Sequence, residues 1–421
     1  MASRWQETVD LIVELGIGST RTDEALDVWD TALWSANSTS GPTWSGLEPL
    51  WVEIERERIV KANVMGGRDH IWDSFDTGTA TVEWADEDNR YAWHPDQDTE
   101  NLELRPGSPI RISARHNGIT YPMFRGFVEI ITELLSGKDV ITVQADAQDA
   151  LGQLARVNNL EQPPVGTGEL THQRVERLLD SALWPSEWRV MDTTSVPHQA
   201  TTLAQPVLDE LMVTVWTEGG GIYGDKKGNV RLRNRSWLFE DPHSTTVQRK
   251  VGNTGGGICP AEIEWSRAAD DVVNEISLAR VGGSAYTTRD EGSIGRMGLR
   301  QWHRFDLTAT DDGPIVSRAE QLLDERSEGR MRIDSVVISG DAANDWPFLL
   351  AVDYGWRIEI DYRHPIYGWE INLPVYVERI FHEIRDDGWT LTLGVDDVKP
   401  YTQEEARWDA SYWNDGLAAW F

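Results

Sequence analysis

Between Ile71 and Asn158 the sequence alternates so regularly that few folds can accommodate it. Thr77, Thr79, Thr81 and Glu83 alternate with Ala80, Val82 and Trp84, the period of two expected of a half-buried strand. Pro106-Gly107 then marks a tight turn. Ile110, Ile112 and Ala114 alternate with Arg111, Ser113 and Arg115 up to Asn117-Gly118, the strongest short hairpin signal. Tyr121–Ile131 and Val140–Ala145 predict two further strands, and Asp146 is placed to cap a short helix carrying Ala147, Ala150, Leu151 and Leu154 on one side. Several short strands at this spacing, closed by a helix, predict a small barrel or sandwich.

The remainder of the 421 residues exceeds what one ordinary core organises. Val9–Leu15 alternates as a strand, residues 35–49 read as a loop, and Trp51–Ile59 alternates again with a mostly wet face. These belong to a first β-domain, residues 1–155, which ends at a linker around Pro163-Pro164. The period then changes to helical. Thr171 is placed to cap a helix bearing Val175, Leu178, Leu179 and Ala182, stopped by Pro185. Pro206 suits the first turn of a second helix with Val207, Leu208, Leu211, Met212, Val215 and Trp216 as its apolar stripe. Residues 218–235 read as a hairpin turning at Gly228-Asn229; the run Gly219-Gly220-Gly221 is hairpin entry, since no Lys-Ser/Thr follows as in a phosphate loop. Residues 156–250 are thus an α/β insertion. From Val251 strands return: Ala261–Trp265, Val273–Val281, Met331–Ser339, Tyr354–Asp361, Leu373–His382 and Trp389–Val395, with a helix at Ser317–Glu328 and a hairpin at Asp387-Gly388. This is a second β-domain, residues 251–400, followed by an aromatic tail, 401–421. The fold class is α+β, mainly β: two small barrel or sandwich domains flanking an α/β insertion.

Chemistry-bearing motifs are scarce. There is no Gly-x-Ser-x-Gly elbow and no His-Glu-x-x-His pair, and the nine histidines stand singly. Acid pairs can be drawn almost anywhere in a chain with 70 Asp and Glu, so none is informative. Asp86–Asn89 starts like a calcium loop, but Tyr91 occupies the glycine position and no Glu stands at the twelfth; an exposed acidic turn is expected. Cys259 is the single cysteine, which excludes a disulfide framework and a cysteine zinc site; it is expected as a small buried hydrophobe. We expect no catalytic site, no cofactor and no metal. No apolar run approaches the ~20 residues of a membrane helix, and the N-terminus lacks a signal-peptide layout, so synthesis in the cytoplasm without individual secretion is expected.

The formal charge of −31 repels nucleic acid. It fits general solubility or a salt-tolerant host, and equally a passage that DNA must traverse without sticking. Only six of the 39 basic residues are lysine, and tryptophan is abundant at 21; GC-rich coding accounts for both as well as interfaces do.

Four segments carry a more specific likeness. FDTGTATVEW, LRPGSPIRI, YPMFRGFVEII and VITVQADAQDALGQLA follow one another over residues 75–155. In this order they resemble the minor tail, or tail-hub, proteins of siphophages infecting actinobacteria: a Gly-Thr-Ala-Thr strand, a Pro-Gly turn into an Arg-bearing strand, a Phe-x-Gly strand, and an Ala-x-Asp-x-x-x-x-Leu helix. The segment from Ser293 to Phe305 resembles the family's Ser-Ile-x-Arg-aromatic-Gly-x-Arg, with Met297 at the aromatic position. The departure is at residues 84–95, where the family has a Leu-Asp-Asn turn. The resemblance covers residues 9–398 and implies a tail-tip hub that closes the distal end of a non-contractile tail tube and forms part of the DNA conduit. It implies a homotrimer whose two tube-type domains make a pseudo-sixfold ring. The implied partners are the distal tail ring protein, the C-terminus of the tape-measure protein, and other minor tail or receptor-binding proteins, with DNA passing through unbound. The alternatives are a hexameric distal tail ring protein and a tip-associated enzyme degrading envelope glycan.

Residues 401–421 lie outside the resemblance. Trp408, Tyr412, Trp413, Trp420 and Phe421 put five large aromatics in the last fourteen residues, and left in water they would make the kind of apolar patch that marks an interaction site. They are the candidate partner-binding residues, docking either on their own subunit or on a neighbour.

Overall fold

The computed structural model describes residues 8–17, 50–87, 91, 104–135, 141–159, 163–266, 272–327, 332–340 and 345–398. The alternation of the Thr-Ala-Thr-Val segment is realised in the strand Asp76–Asp86, where Gly78, Ala80, Val82, Trp84 and Asp86 face inward and the intervening side chains are half-buried. Asn117 and Gly118 both adopt positive φ, 51° and 79°. This geometry matches the right-handed twist of the flanking strands, so Pro109–His116 folds back onto Ile119–Leu135 with His116 opposite Ile119.

Three local expectations are corrected. Asp149, not Asp146, caps the helix Ala150–Leu154 by accepting from Leu151 N. Asp146 lies within a strand and accepts from Thr81 Oγ1 and Gln144 Nε2. Thr171 is the first residue inside the helix Thr171–Ser181; Leu170 precedes it, its N–H donating to Gln173 Oε1 at 3.0 Å. The expected strand Trp51–Ile59 breaks after Ile54. Four consecutive charged residues make a single tight turn, with Arg58 N–H donating to Glu55 O, and a new strand, Ile59–Gly67, begins.

That new strand joins the two halves of the chain. Among the described residues one sheet of thirteen strands forms. Its order is Glu262–Ser266, Arg332–Ser339, Gly388–Asp397, Glu370–Arg385, Ile59–Gly67, Asp76–Asp86, Ile141–Gln148, Ile119–Leu135, Pro109–His116, Asp10–Ile17, Leu50–Ile54. Arg357–Arg363 pairs antiparallel with the first part of Glu370–Arg385, and Arg249–Gly252 pairs parallel with Arg357–Arg363. The mainly β architecture is as expected, but the strands do not close into two barrels: Lys61–Gly67 pairs with Arg379–Arg385 and continues one sheet across both halves. One apolar core accordingly contains Trp84, Ile112 and Val143 from the first half with Val336, Ile360 and Trp389 from the second. Fully burying side chains of this size contributes ~2–3 kcal/mol each.

Among the described residues three smaller apolar clusters lie beside it, one of them only Trp237, Leu238, Tyr376 and Val398. Helices Thr171–Ser181 and Val207–Glu218 pack Leu178, Leu179, Leu211 and Val215 against Leu151, Ile222, Val230 and Leu232. Gly219, with φ of 83°, ends the second helix. Beyond it, the sheet Tyr286–Arg289, Glu275–Arg280, Gln301–Leu307 packs with helix Gly313–Arg326, and Trp216 and Trp72 enter the same core. A buried polar chain crosses between these two units. Thr171 Oγ1 donates to Glu218 Oε2 and lies 2.8 Å from His198 Nε2, while His198 Nδ1 lies 2.7 Å from Thr308 Oγ1. Since the Thr171 proton goes to Glu218, His198 Nε2 carries the hydrogen and Nδ1 accepts. Burial pushes His198 down to about 3, which keeps this ring neutral.

Candidate functional site

The turn from Arg68 to Phe75, between Ile59–Gly67 and Asp76–Asp86, is where the two halves meet through side chains. Gly67 has φ of +126°, and a Cβ there would sit 2.2 Å from Glu378 O, so the chain can approach the long strand this closely only at glycine. Opposite it the pairing shifts register between Val377 and Arg379, which makes Glu378 an extra, bulged residue. The bulge turns Glu378 inward, where it is fully buried and accepts from Arg68 Nε at 2.5 Å. Arg68 N–H also donates to Glu378 O, and its guanidinium lies over the Phe75 ring. Burial raises the Glu378 carboxyl above its ordinary value, an effect that Arg68 only partly offsets.

A second ionic group adjoins the first. Asp396 accepts from Ile71 N at 3.0 Å and from Arg332 Nη1 at 3.3 Å, and His70 Nδ1 lies 3.7 Å away. Burial would raise Asp396, but His70, Arg332 and the Ile71 N–H outweigh it and hold the carboxyl below its ordinary value. Burial would lower His70, yet Asp396 raises it overall. His70 stacks on Trp72, over which Arg332 also lies. The seam therefore alternates cation, acid and aromatic ring without a nucleophile held by a base. Such an arrangement fixes one half against the other.

Among the described residues, apolar side chains are exposed at several places. The loop between Arg357–Arg363 and Glu370–Arg385 exposes Ile366, Tyr367 and Trp369. The long strand Ile119–Leu135 exposes Ile130, Leu134 and Leu135 where it runs past the start of its partner, Pro109–His116. Gln301–Leu307 is the edge of its small sheet and exposes Phe305. Three arginines of the first half are engaged with neighbours. Arg111 forms a fork with Glu14 and lies over Trp51, Arg115 pairs with Asp10 at 3.5 Å, and Arg125 lies over Trp51 and Trp188.

Trp408, Tyr412, Trp413, Trp420 and Phe421 all lie outside the described residues. Asp86 is buried and accepts from Tyr91 N at 2.8 Å, so it closes its own turn and is not the exposed acid expected; Asn89 is outside the described residues. Cys259 is exposed rather than buried, while its neighbour Ile258 takes the inward position. Among the described residues no group of three or more His, Cys, Asp or Glu is arranged to hold a metal, and no helix is long and apolar enough to cross a membrane. The seam was not foreseen. Arg68 and Glu378 are 310 positions apart, and only the Gly66-Gly67 pair hinted at a close backbone approach.

Among solved structures, the tail protein of Neisseria meningitidis MC58 superposes with a TM-score of 0.60 at 12% identity, covering 93% of this chain and 97% of that one. The fold is that of a phage tail protein. The 43 kDa tail protein of prophage MuSo2 from Shewanella oneidensis gives a TM-score of 0.56 at 12% identity, covering 93% and 98%. No protein-family model matches the sequence, and no curated protein matches it. At 12% identity the likeness is one of fold.

Proposed function

We propose that this chain is a structural component of a virion: the tail-tip hub of a non-contractile phage tail, of the kind carried by siphophages of actinobacteria. The observation that carries the reading is the whole-length likeness to a tail protein, which takes in 93% of this chain and 97% of the other and so is not a shared subdomain. In this reading residues 1–155 and 251–400 are the tube-type domains, and 156–250 are inserted between them. The shared sheet and the Arg68–Glu378 seam make the pair one stiff building block, as a ring that must hold a bore requires. The ends of the sheet, Leu50–Ile54 and Glu262–Ser266, are strand edges of the kind a neighbouring subunit satisfies. Three copies around an axis close the distal end of the tube; the distal tail ring, the tape-measure C-terminus and the receptor-binding proteins are the neighbours. The role is architectural and not catalytic.

Mass photometry and electron-microscopy class averages of the purified protein test this. Three copies are expected; six would identify a distal tail ring, and a stable monomer with no tendency to associate would overturn both. Immunogold labelling of intact virions is expected at the distal tip. Clearing of actinobacterial wall material in a zymogram would instead identify a glycan-degrading tip enzyme.

A further inference from the structure

Where the two halves meet the insertion, two glycines leave the inward face of the large sheet bare. A Cβ at Gly66 would run into the Tyr354 hydroxyl, and one at Gly78 would lie 2.7 Å from Asp149 Oδ2. Those two oxygens reach over the glycines and bound a cavity of about 30 Å³, room for at least one water. Its lining draws on three parts of the chain: Gly66, Gly78 and Asp149 from the first half, Lys226 from the turn of the insertion's hairpin, and Tyr354 and His382 from the second half.

His382 is 1% exposed. Its Nδ1 accepts from Trp389 Nε1 at 3.2 Å. An indole N–H can only donate, so the imidazole hydrogen sits on Nε2. Burial and the nearby charge of Lys226 push His382 down to about 3, which keeps the ring neutral. Among the described residues Nε2 has no hydrogen-bond partner. A buried donor in that position calls for an acceptor, and the cavity is the space that can supply one.

The other polar groups of the lining decide what fits. Lys226 Nζ donates to Val352 O, which uses one of its three protons. Asp149 accepts from Gly78 N and Leu151 N, each at 2.9 Å, and carboxylate oxygens have capacity for further donors. The ligand must therefore accept from His382 and Lys226 and donate to Asp149. A halide would meet the carboxylates of Asp149 and Asp225, and a metal cation would meet the Lys226 ammonium and the His382 N–H. Water alone among species of this size is a donor and an acceptor without charge.

We propose that this cavity is a water site, in which an ordered water accepts from His382 Nε2–H and, with the Tyr354 hydroxyl, links Lys226 of the insertion to Asp149 of the first half. The water is a structural ligand: it fastens the insertion to both halves at one point and completes the hydrogen bonding of a group that no protein atom reaches. The inference does not rest on the tail-hub reading and stands or falls separately from it.

Two measurements on the full chain test it. A high-resolution crystal structure should show a peak about 2.7–3.2 Å from His382 Nε2 with no anomalous signal after a bromide soak. In the chain labelled with nitrogen-15 histidine, the His382 Nε2–H resonance should give a rotating-frame cross-peak at the water frequency, with the sign of dipolar contact rather than of hydrogen exchange. A peak that bromide replaces makes the site a halide site and overturns the proposal. So does a His382 Nε2 that meets a protein acceptor, a cavity without density, or a ring protonated on Nδ1 alone.

Discussion

Removing the positive charge from the seam should be one of the costliest single changes available to this protein. Arg68 and Glu378 are 3% and 0% exposed, and among the described residues Glu378 Oε1 has no hydrogen-bond partner. With Arg68→Met the carboxylate keeps no charged group in contact while the volume stays similar. Breaking a buried pair from one side costs ~3–5 kcal/mol, because an uncompensated charge remains, whereas removing both charges is often near neutral. Arg68→Met should therefore lower stability at pH 7 by ~3–5 kcal/mol, and Arg68→Met/Glu378→Gln should recover about 2 kcal/mol of it. The pH dependence follows from the sign of the Glu378 shift, which is already upward and rises further without Arg68. A carboxyl with a raised folded value binds its proton more tightly when folded, so stability falls as pH rises through that window. The deficit of the single variant should accordingly shrink toward acid pH, and that of the double variant should not. Urea unfolding followed by tryptophan fluorescence from pH 4 to 8 reads all of this. A loss below about 1 kcal/mol for the single variant, or a double variant worse than the single, would refute the assignment of Arg68 as the compensating charge.

Gly67→Ala should cost more than about 3 kcal/mol, since its Cβ would lie 2.2 Å from Glu378 O and 2.5 Å from the Arg379 Cα, while Gly107→Ala, with φ of +93° and open space, should cost about 1 kcal/mol; thermal melts compare the two. Burial pushes Asp149 up to about 7 against the backbone N–H groups of Gly78, Leu151, Gly152 and Gly224. Stability should therefore decline between the ordinary carboxylate range and about pH 7, a slope that Asp149→Asn removes in pH-resolved unfolding. With a net charge of −31 the purified protein should show no duplex-DNA affinity in a gel-shift assay even at low salt, and a retarded complex would contradict the non-binding conduit.

Elements whose signal is local were readable in the sequence. The Asn117-Gly118 turn, the alternation across Asp76–Asp86, and the apolar stripes of Thr171–Ser181 and Val207–Glu218 each follow from residues within one turn or one strand of each other. Composition also carried the net charge of −31. Where two acids stood three residues apart, at Asp146 and Asp149, sequence could not say which one met the helix N-terminus; the choice is made by pairing across the sheet, which holds Asp146 in its strand. The strand Ile59–Gly67 went unread because Val60 and Met65 point outward while Ile59, Ala62 and Val64 are buried, so apolar and polar residues do not alternate along it. What joins the two halves was beyond the sequence altogether. The seam pairs Arg68 with Glu378 and Ile71 with Asp396 across more than 300 positions. A buried charge announces itself only when the partner that compensates it is in place, and tertiary structure alone brings the two together.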